Sequence, residues 1–168
     1  MSSVEQAEKV KDQVKRSVEM GAKIIAGSHP EGALYPPTLV VDVKPGMPLF
    51  DEEVFGPVAS VMVVKNEEEA IELSNKSDFG LGVSLFTNDL EKAEKLAHEF
   101  DDGAVFINAL VKSDPRLPFG GTKHSGYGRE LSIAGIREFV NIKTVYIEKF
   151  HDINTDEKST AISMGTPT

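Results

Sequence analysis

Val4, Ala7, Val10, Val14 and Val18 recur at spacings of three and four, which lays an apolar stripe along one helix. Ser3 with Gln6 supplies a capping-box start, and Gly21 supplies the stop. Lys23 to Ala26 then predicts a short strand, and the β-branched run Thr38 to Val43 a second. Between them His29 to Pro37 carries three prolines and reads as loop. Pro57 to Lys65 predicts a strand. Asn66 with Glu69 opens a helix through about Lys76. Leu81, Val83 and Leu85 alternate as a strand. Asn88 and Glu91 cap a helix with Leu90, Ala93, Leu96, Ala97 and Phe100 on one face. Gly103 stops it, and Ala104 to Asn108 reads as a buried strand. Glu130 to Val140 predicts a last helix and Asn141 to Ile147 a last strand.

Strands alternating with helices from 57 to 108 predict an α/β fold, a mostly parallel sheet flanked by helices. The expected organisation is one body over 1–140, a strand within 141–149, and a mobile tail over 150–168, which carries six Ser/Thr and no apolar period.

Composition narrows the chemistry. The 168 residues carry a net charge of −9 and no cysteine. An acidic chain without a basic stripe disfavours nucleic acid and anionic membrane as partners. Without cysteine the chain has no disulfide, no thiolate metal site and no thiol nucleophile. No apolar run approaches the roughly 20 residues of a membrane span. The opening residues are charged and helical in pattern, so a cytoplasmic protein is expected. His29, His98, His124 and His151 show no metal-ligand spacing.

Two segments stand out. The first is Glu52-Glu53-Val54-Phe55-Gly56-Pro57-Val58, the second Pro118-Phe119-Gly120-Gly121-Thr122-Lys123-His124-Ser125-Gly126-Tyr127-Gly128-Arg129-Glu130. Taken alone, the first reads as an acidic helix start that Pro57 ends. The second reads as a loop turning tightly before a helix. A phosphate loop places Lys directly after its last glycine, whereas Tyr127 follows Gly126. A dinucleotide fingerprint places a third glycine where Leu131 stands. Lys123 and His124 read either as anion contacts or as solvated loop.

Together and in order, with the Gly21-Ala22-Lys23 step and Tyr35-Pro36-Pro37-Thr38, these segments resemble the C-terminal catalytic-domain portion of the NAD(P)-dependent aldehyde dehydrogenases. The resemblance runs from about Val4 to Ile147, and Ser113-Asp114-Pro115-Arg116 gives it a succinate-semialdehyde character. It implies that Glu53 holds the nicotinamide ribose hydroxyls and that Phe55 packs beside the nicotinamide. It places Phe119 on the wall of an aldehyde tunnel. Ser113 or Arg116 would hold a substrate carboxylate, and the strand Lys143 to Ile147 would lie at a subunit interface.

The family's cysteine nucleophile, general-base glutamate and dinucleotide-binding domain precede this stretch, so no residue here is assigned a catalytic role and no metal is implied. The intact enzyme would use NAD or NADP, and neither is expected to bind tightly to this chain alone. The isolated chain is therefore expected to be inactive. Its partner would be the missing N-terminal half, or a second copy through Lys143 to Ile147. The alternative reading is a non-catalytic interaction module that complements a partner carrying the missing half.

Overall fold

The computed structural model describes residues 1–27 and 29–148. Its first element, helix α1 (Val4–Glu19), is capped as the sequence predicts: the Ser3 side chain accepts from the Gln6 amide at 3.1 Å. Its buried face differs from the expected valine stripe. Ala7, Val10, Gln13, Val14 and Ser17 are buried, while Val4 and Val18 are exposed. Two polar residues sit inside because each has a bonding role there. Ser17 Oγ accepts from the Leu49 amide at 3.0 Å, and Gln13 Nε2 donates to the Glu53 carbonyl at 3.2 Å. A buried polar side chain is tolerable on those terms.

Strand β1 (Lys23–Ala26) pairs antiparallel with β2 (Thr38–Val41), and β2 pairs parallel with β3 (Val58–Val61). Helix α1 and this sheet close over Val14, Ala22, Val40, Val43, Met47 and Leu49, against which Phe50, Val54, Val58 and Met62 pack. A one-turn helix, α2 (Pro48–Asp51), lies between β2 and β3. Pro48 starts it, as proline suits a first helical turn. Asp51 therefore ends a helix, and Glu52 and Glu53 follow it and do not begin one.

Helix α3 (Glu67–Asn75) starts at Asn66, whose side chain accepts from the Glu69 amide at 3.0 Å. Glu69 reaches back to the Lys65 amide at 2.7 Å, one residue before the cap. Strand β4 (Phe79–Gly80), β5 (Val83–Leu85), helix α4 (Leu90–Leu96) and β6 (Val105–Ile107) follow. Asp89, not Asn88, caps α4, accepting from the Lys92 amide at 3.0 Å. Strand β7 (Thr122–Lys123) pairs antiparallel with β4, and β6 pairs parallel with β5. Helix α5 (Ser132–Arg137) begins later than the expected 130. Leu131, which caps it, has a φ of +62°, a value an L-residue does not adopt inside a right-handed helix.

The class is α/β, in three small sheets rather than one. Parallel pairing joins β2 to β3 and β5 to β6; β3 and β5 are not hydrogen-bonded to each other.

The strand expected over Lys143 to Ile147 is corrected by the structure. Residues 141–148 make no strand pairing among the described residues, and Ile142, Val145, Tyr146 and Ile147 are exposed. A strand needs an edge to bond, and residues 141–148 pair with none of the open edges of the described sheets. The expected tail over 150–168, with the end of the 141–149 segment, lies outside the described residues.

Candidate functional site

Helix α2 delivers the acidic pair into extended chain. From there alternate residues part company: Val54 packs inward, while Glu53 and Phe55 are exposed, Phe55 to 68%. Glu52 turns back to α1. Arg16 Nη1 and Nη2 donate to its two carboxylate oxygens at 2.8 and 3.0 Å, and Gln13 Nε2 donates at 3.0 Å. The Arg16 bonds, with Gln13 second, hold the Glu52 carboxyl below the usual carboxylate range. The same contact, helped by Asp12, raises the Arg16 guanidinium. Glu53 keeps its carboxylate without a hydrogen bond or ion pair among the described residues, while its carbonyl is fixed by Gln13.

Glu53 lines a cavity of about 780 Å³, with Ser60, Leu73, Leu81, Asp102 and Ser125 among its other walls. Burial pushes the Asp102 carboxyl up, opposed by the nearby Lys123 charge. A second cavity, of about 410 Å³, is lined by Phe119, Tyr127, Arg129 and Glu130, and shares Leu81 and Ser125 with the first. The fold thus brings the two sequence segments to adjoining cavities with a common wall. That wall depends on a close backbone crossing. A β-carbon at Gly103 would collide with the Gly120 carbonyl oxygen, so only glycine fits. Ser125 Oγ accepts from the Gly80 amide at 3.0 Å, and Arg129 Nη1 donates to the Gly121 and Gly128 carbonyls at 3.0 and 2.7 Å.

The glycine loop is braced by its own carbonyls and by residues 75–79 after α3. The His124, Ser125 and Gly126 amides donate to the Asp78, Thr122 and Lys123 carbonyls at 2.9, 3.0 and 3.4 Å. Lys123 Nζ donates to the Asn75 and Ser77 carbonyls at 2.7 and 2.9 Å, and the His124 ring meets Phe79 edge to face. Neither reading of Lys123 describes what the structure shows, which is an ammonium tied to the carbonyls at the end of α3.

Ser113 and Arg116 are not brought to either cavity. Both are exposed, and Arg116 Nε and Nη2 donate to Asp114 at 2.9 and 2.6 Å, holding that carboxyl well below the usual range. Among the described residues no group of three or more His, Cys, Asp or Glu is placed to hold a metal, and no helix is long and apolar enough to cross a membrane.

Sequence reasoning missed Gln13, Arg16, Asp102 and Ser125. Gln13 left a signal, a polar residue one step from Val14 on the apolar side of α1. Asp102 and Ser125 left none, since their roles depend on a crossing of distant segments.

A family model described as the aldehyde dehydrogenase family matches residues 1–145. The chain is 51% identical over 138 residues to a probable NADP(+) succinate-semialdehyde dehydrogenase of Synechocystis sp., covering 80% of this chain and 30% of the relative. It is 44% identical over 140 residues to the NAD(P)+ succinate semialdehyde dehydrogenase of Escherichia coli, covering 82% and 30%. The succinic semialdehyde dehydrogenase of Streptococcus pyogenes, solved in complex with NADP+ as the cofactor, superposes with a TM-score of 0.84 at 40% identity, covering 89% of this chain and 33% of that one. A salicylaldehyde dehydrogenase from Pseudomonas putida, solved with salicylaldehyde, superposes equally well at 0.84 and 37% identity, covering 90% and 31%. The chain spans about a third of the length of the proteins it matches.

Proposed function

The chain belongs to the aldehyde dehydrogenase family, and from that premise we propose that it forms part of an enzyme oxidising an aldehyde to a carboxylic acid with NAD or NADP. Succinate semialdehyde is the substrate that the names of the 44–51% identical relatives support. The observation that carries the reading is the division between two adjacent carboxylates. Glu52 is consumed by Arg16 and Gln13, whereas Glu53 presents two free oxygens at a cavity mouth. A free carboxylate accepts two hydroxyl hydrogen bonds at once, which suits a ribose diol. Phe55, exposed two residues on, offers a ring face to a nicotinamide.

The residues present fit the nicotinamide–ribose end of the cofactor only. Three successive amides of the glycine loop already donate to carbonyls of this chain, so the loop makes no phosphate cradle. When bound, NAD(P) supplies the hydride acceptor. This chain's part is to orient the ribose through Glu53 and to wall the aldehyde channel with Phe119. Arg116 serves a substrate carboxylate only by exchanging Asp114 for it. The thiol nucleophile must come from another polypeptide segment, and its absence alone removes roughly 10⁶ in rate.

The test is formation of NAD(P)H from succinate semialdehyde. The pure chain is expected to give none, and turnover by it would overturn the division of the enzyme. Mixed with a polypeptide carrying the N-terminal portion of a relative, it is expected to turn over. In that mixture Glu53→Gln is expected to raise the cofactor KM about tenfold, the worth of one weak hydrogen bond to a charged acceptor. An unchanged KM would remove Glu53 from the cofactor site.

A second reading has its own support. Phe139, Ile142, Val145, Tyr146 and Ile147 form an exposed apolar run, Phe139 to 91%, which suits an interaction segment in the intact enzyme or in a homo-oligomer.

A further inference from the structure

Residues 53–55 carry the groups proposed for the cofactor, yet the segment has little hydrogen bonding of its own. Glu53 and Phe55 make no backbone–backbone hydrogen bond among the described residues, and Val54 accepts only from the Gly56 amide, at 3.0 Å. Backbone polar groups are satisfied by a ladder, a turn, a side chain or water. Here side chains of α1 take that place. Gln13 Nε2 donates to the Glu53 carbonyl at 3.2 Å, and Gln6 Nε2 to the Phe55 carbonyl at 3.1 Å. Gln6, Gln13 and Arg16, spaced seven and three apart, share one face of the helix.

The same Gln13 nitrogen also donates to the Glu52 carboxylate at 3.0 Å, beside the two bonds from Arg16. A held carbonyl fixes the plane of its whole peptide group. The α-carbon of Glu53 therefore sits between a gripped Glu52 and a fixed 53–54 peptide, which sets the direction in which its side chain leaves the backbone.

Gln13 is costly where it stands. It is 1% exposed, and its Oε1 has no hydrogen-bond partner among the described residues. An orphaned buried acceptor destabilises a fold, and an apolar group of the same shape in its place is often neutral or stabilising. Methionine, unbranched and of the same length, would fill the site. Core packing does not ask for an amide at position 13; the peptide of Glu53 does.

We infer that Gln13 is a positioning residue, kept at a loss to the core because it aims the Glu53 carboxylate at the cofactor ribose. This rests on the ribose reading above and names the residue through which α1 enforces it.

Nitrogen-15 relaxation and urea denaturation of the full chain test it with Gln13→Met, which removes the donor and the orphaned acceptor together. The urea midpoint is expected to equal or exceed that of the wild type. The amide order parameters of Glu53 to Phe55 are expected to fall from about 0.85 to below about 0.6, while those of β2 hold. Unchanged order at 53–55 overturns the inference. A midpoint that falls along with the order makes Gln13 a structural tie and overturns it as well. In the mixture with the N-terminal portion of a relative, Gln13→Met is expected to raise the cofactor KM about fivefold, the worth of one hydrogen bond. On top of Glu53→Gln it is expected to add less than about twofold, because the two act through one carboxylate. Equal increases in both backgrounds mean that Gln13 does not act through Glu53 and overturn the inference. If the mixture gives no turnover, or Glu53→Gln leaves KM unchanged, the ribose reading fails, and the order at 53–55 alone decides whether Gln13 positions the segment.

Discussion

Residues 4–62 close a helix and three strands over Val10 and Val40, neither accessible to solvent, and over Met47 and Leu49. Residues 79–139 contain about as many elements, yet their only buried hydrophobic side chain among the described residues is Ala93. Phe86, Leu110, Tyr127 and Phe139 lie open instead, Tyr127 completely. The difference lies in where the covering surface comes from. The first region carries its own: α1 lies across the sheet and its polar Gln13 and Ser17 bond the returning chain. The second region is threaded on glycine crossings and short strand pairs, and its exposed apolar side chains have no cover among the described residues. Burial of apolar surface is the main favourable term in folding, so stability in this chain is concentrated in its first region.

The largest expected effect follows directly. Leu49→Ala removes a buried side chain from the core cluster and is expected to cost about 3 kcal/mol. Leu110→Ala, at a position 73% exposed, should change stability by less than about 0.5 kcal/mol. Urea denaturation followed by circular dichroism gives both numbers. Equal losses would mean that Leu110 is covered in solution and that the contrast between the regions is false.

A smaller effect tests whether the two regions unfold separately. Gly103→Ala forces the 103 and 120 backbones apart and is expected to cost about 2 kcal/mol, as other overpacking substitutions do. The cost should stay local. Amides of β4 and β7 should exchange faster, while those of β2 keep their protection. If β2 loosens in step, the chain is one cooperative unit and the second region is better held than its burial indicates.

The contrast also explains what the sequence made legible. Helices α1 and α3 were readable because their caps, Ser3 and Asn66, are local signals within three residues of their partners. Strands β1, β2 and β3 were readable from β-branched runs. Helix α2 was not, because four residues carry no period. The strand expected over Lys143 to Ile147 has the right composition but pairs with no edge among the described residues, which composition does not report. Parallel strands on both sides of α3 were legible from the alternation, but not that they would remain apart. At the site, Glu53 and Phe55 were named through the resemblance alone. The sequence offers two adjacent glutamates and no means of choosing between them. The choice depends on Arg16, 36 residues before Glu52, reaching across from α1. Arg116 was named through the resemblance as a holder of a substrate carboxylate, and the structure closes its guanidinium on Asp114.

The smallest expected effect concerns that Arg16 contact, which ties the first region to the segment bearing Glu53. The Glu52 carboxyl titrates below its ordinary value in the folded chain, chiefly because Arg16 donates to it. A depressed folded value means that the folded state holds the proton less tightly than the unfolded chain does. The contribution is therefore fully present above the unfolded carboxylate range and is lost as pH falls from about 5 through the folded value. Both side chains are 41% exposed, so water and salt weaken the pair. The wild-type chain should lose more stability between pH 6 and 3 than Glu52→Gln does, measured by urea denaturation at each pH, and added salt should narrow the difference. Gln keeps an oxygen for Gln13 and Arg16 but carries no charge, which isolates the titration from the packing. If the two pH profiles coincide, Glu52 is held by geometry alone. Its separation from Glu53 would then rest on the shape of the 52–55 segment and not on charge.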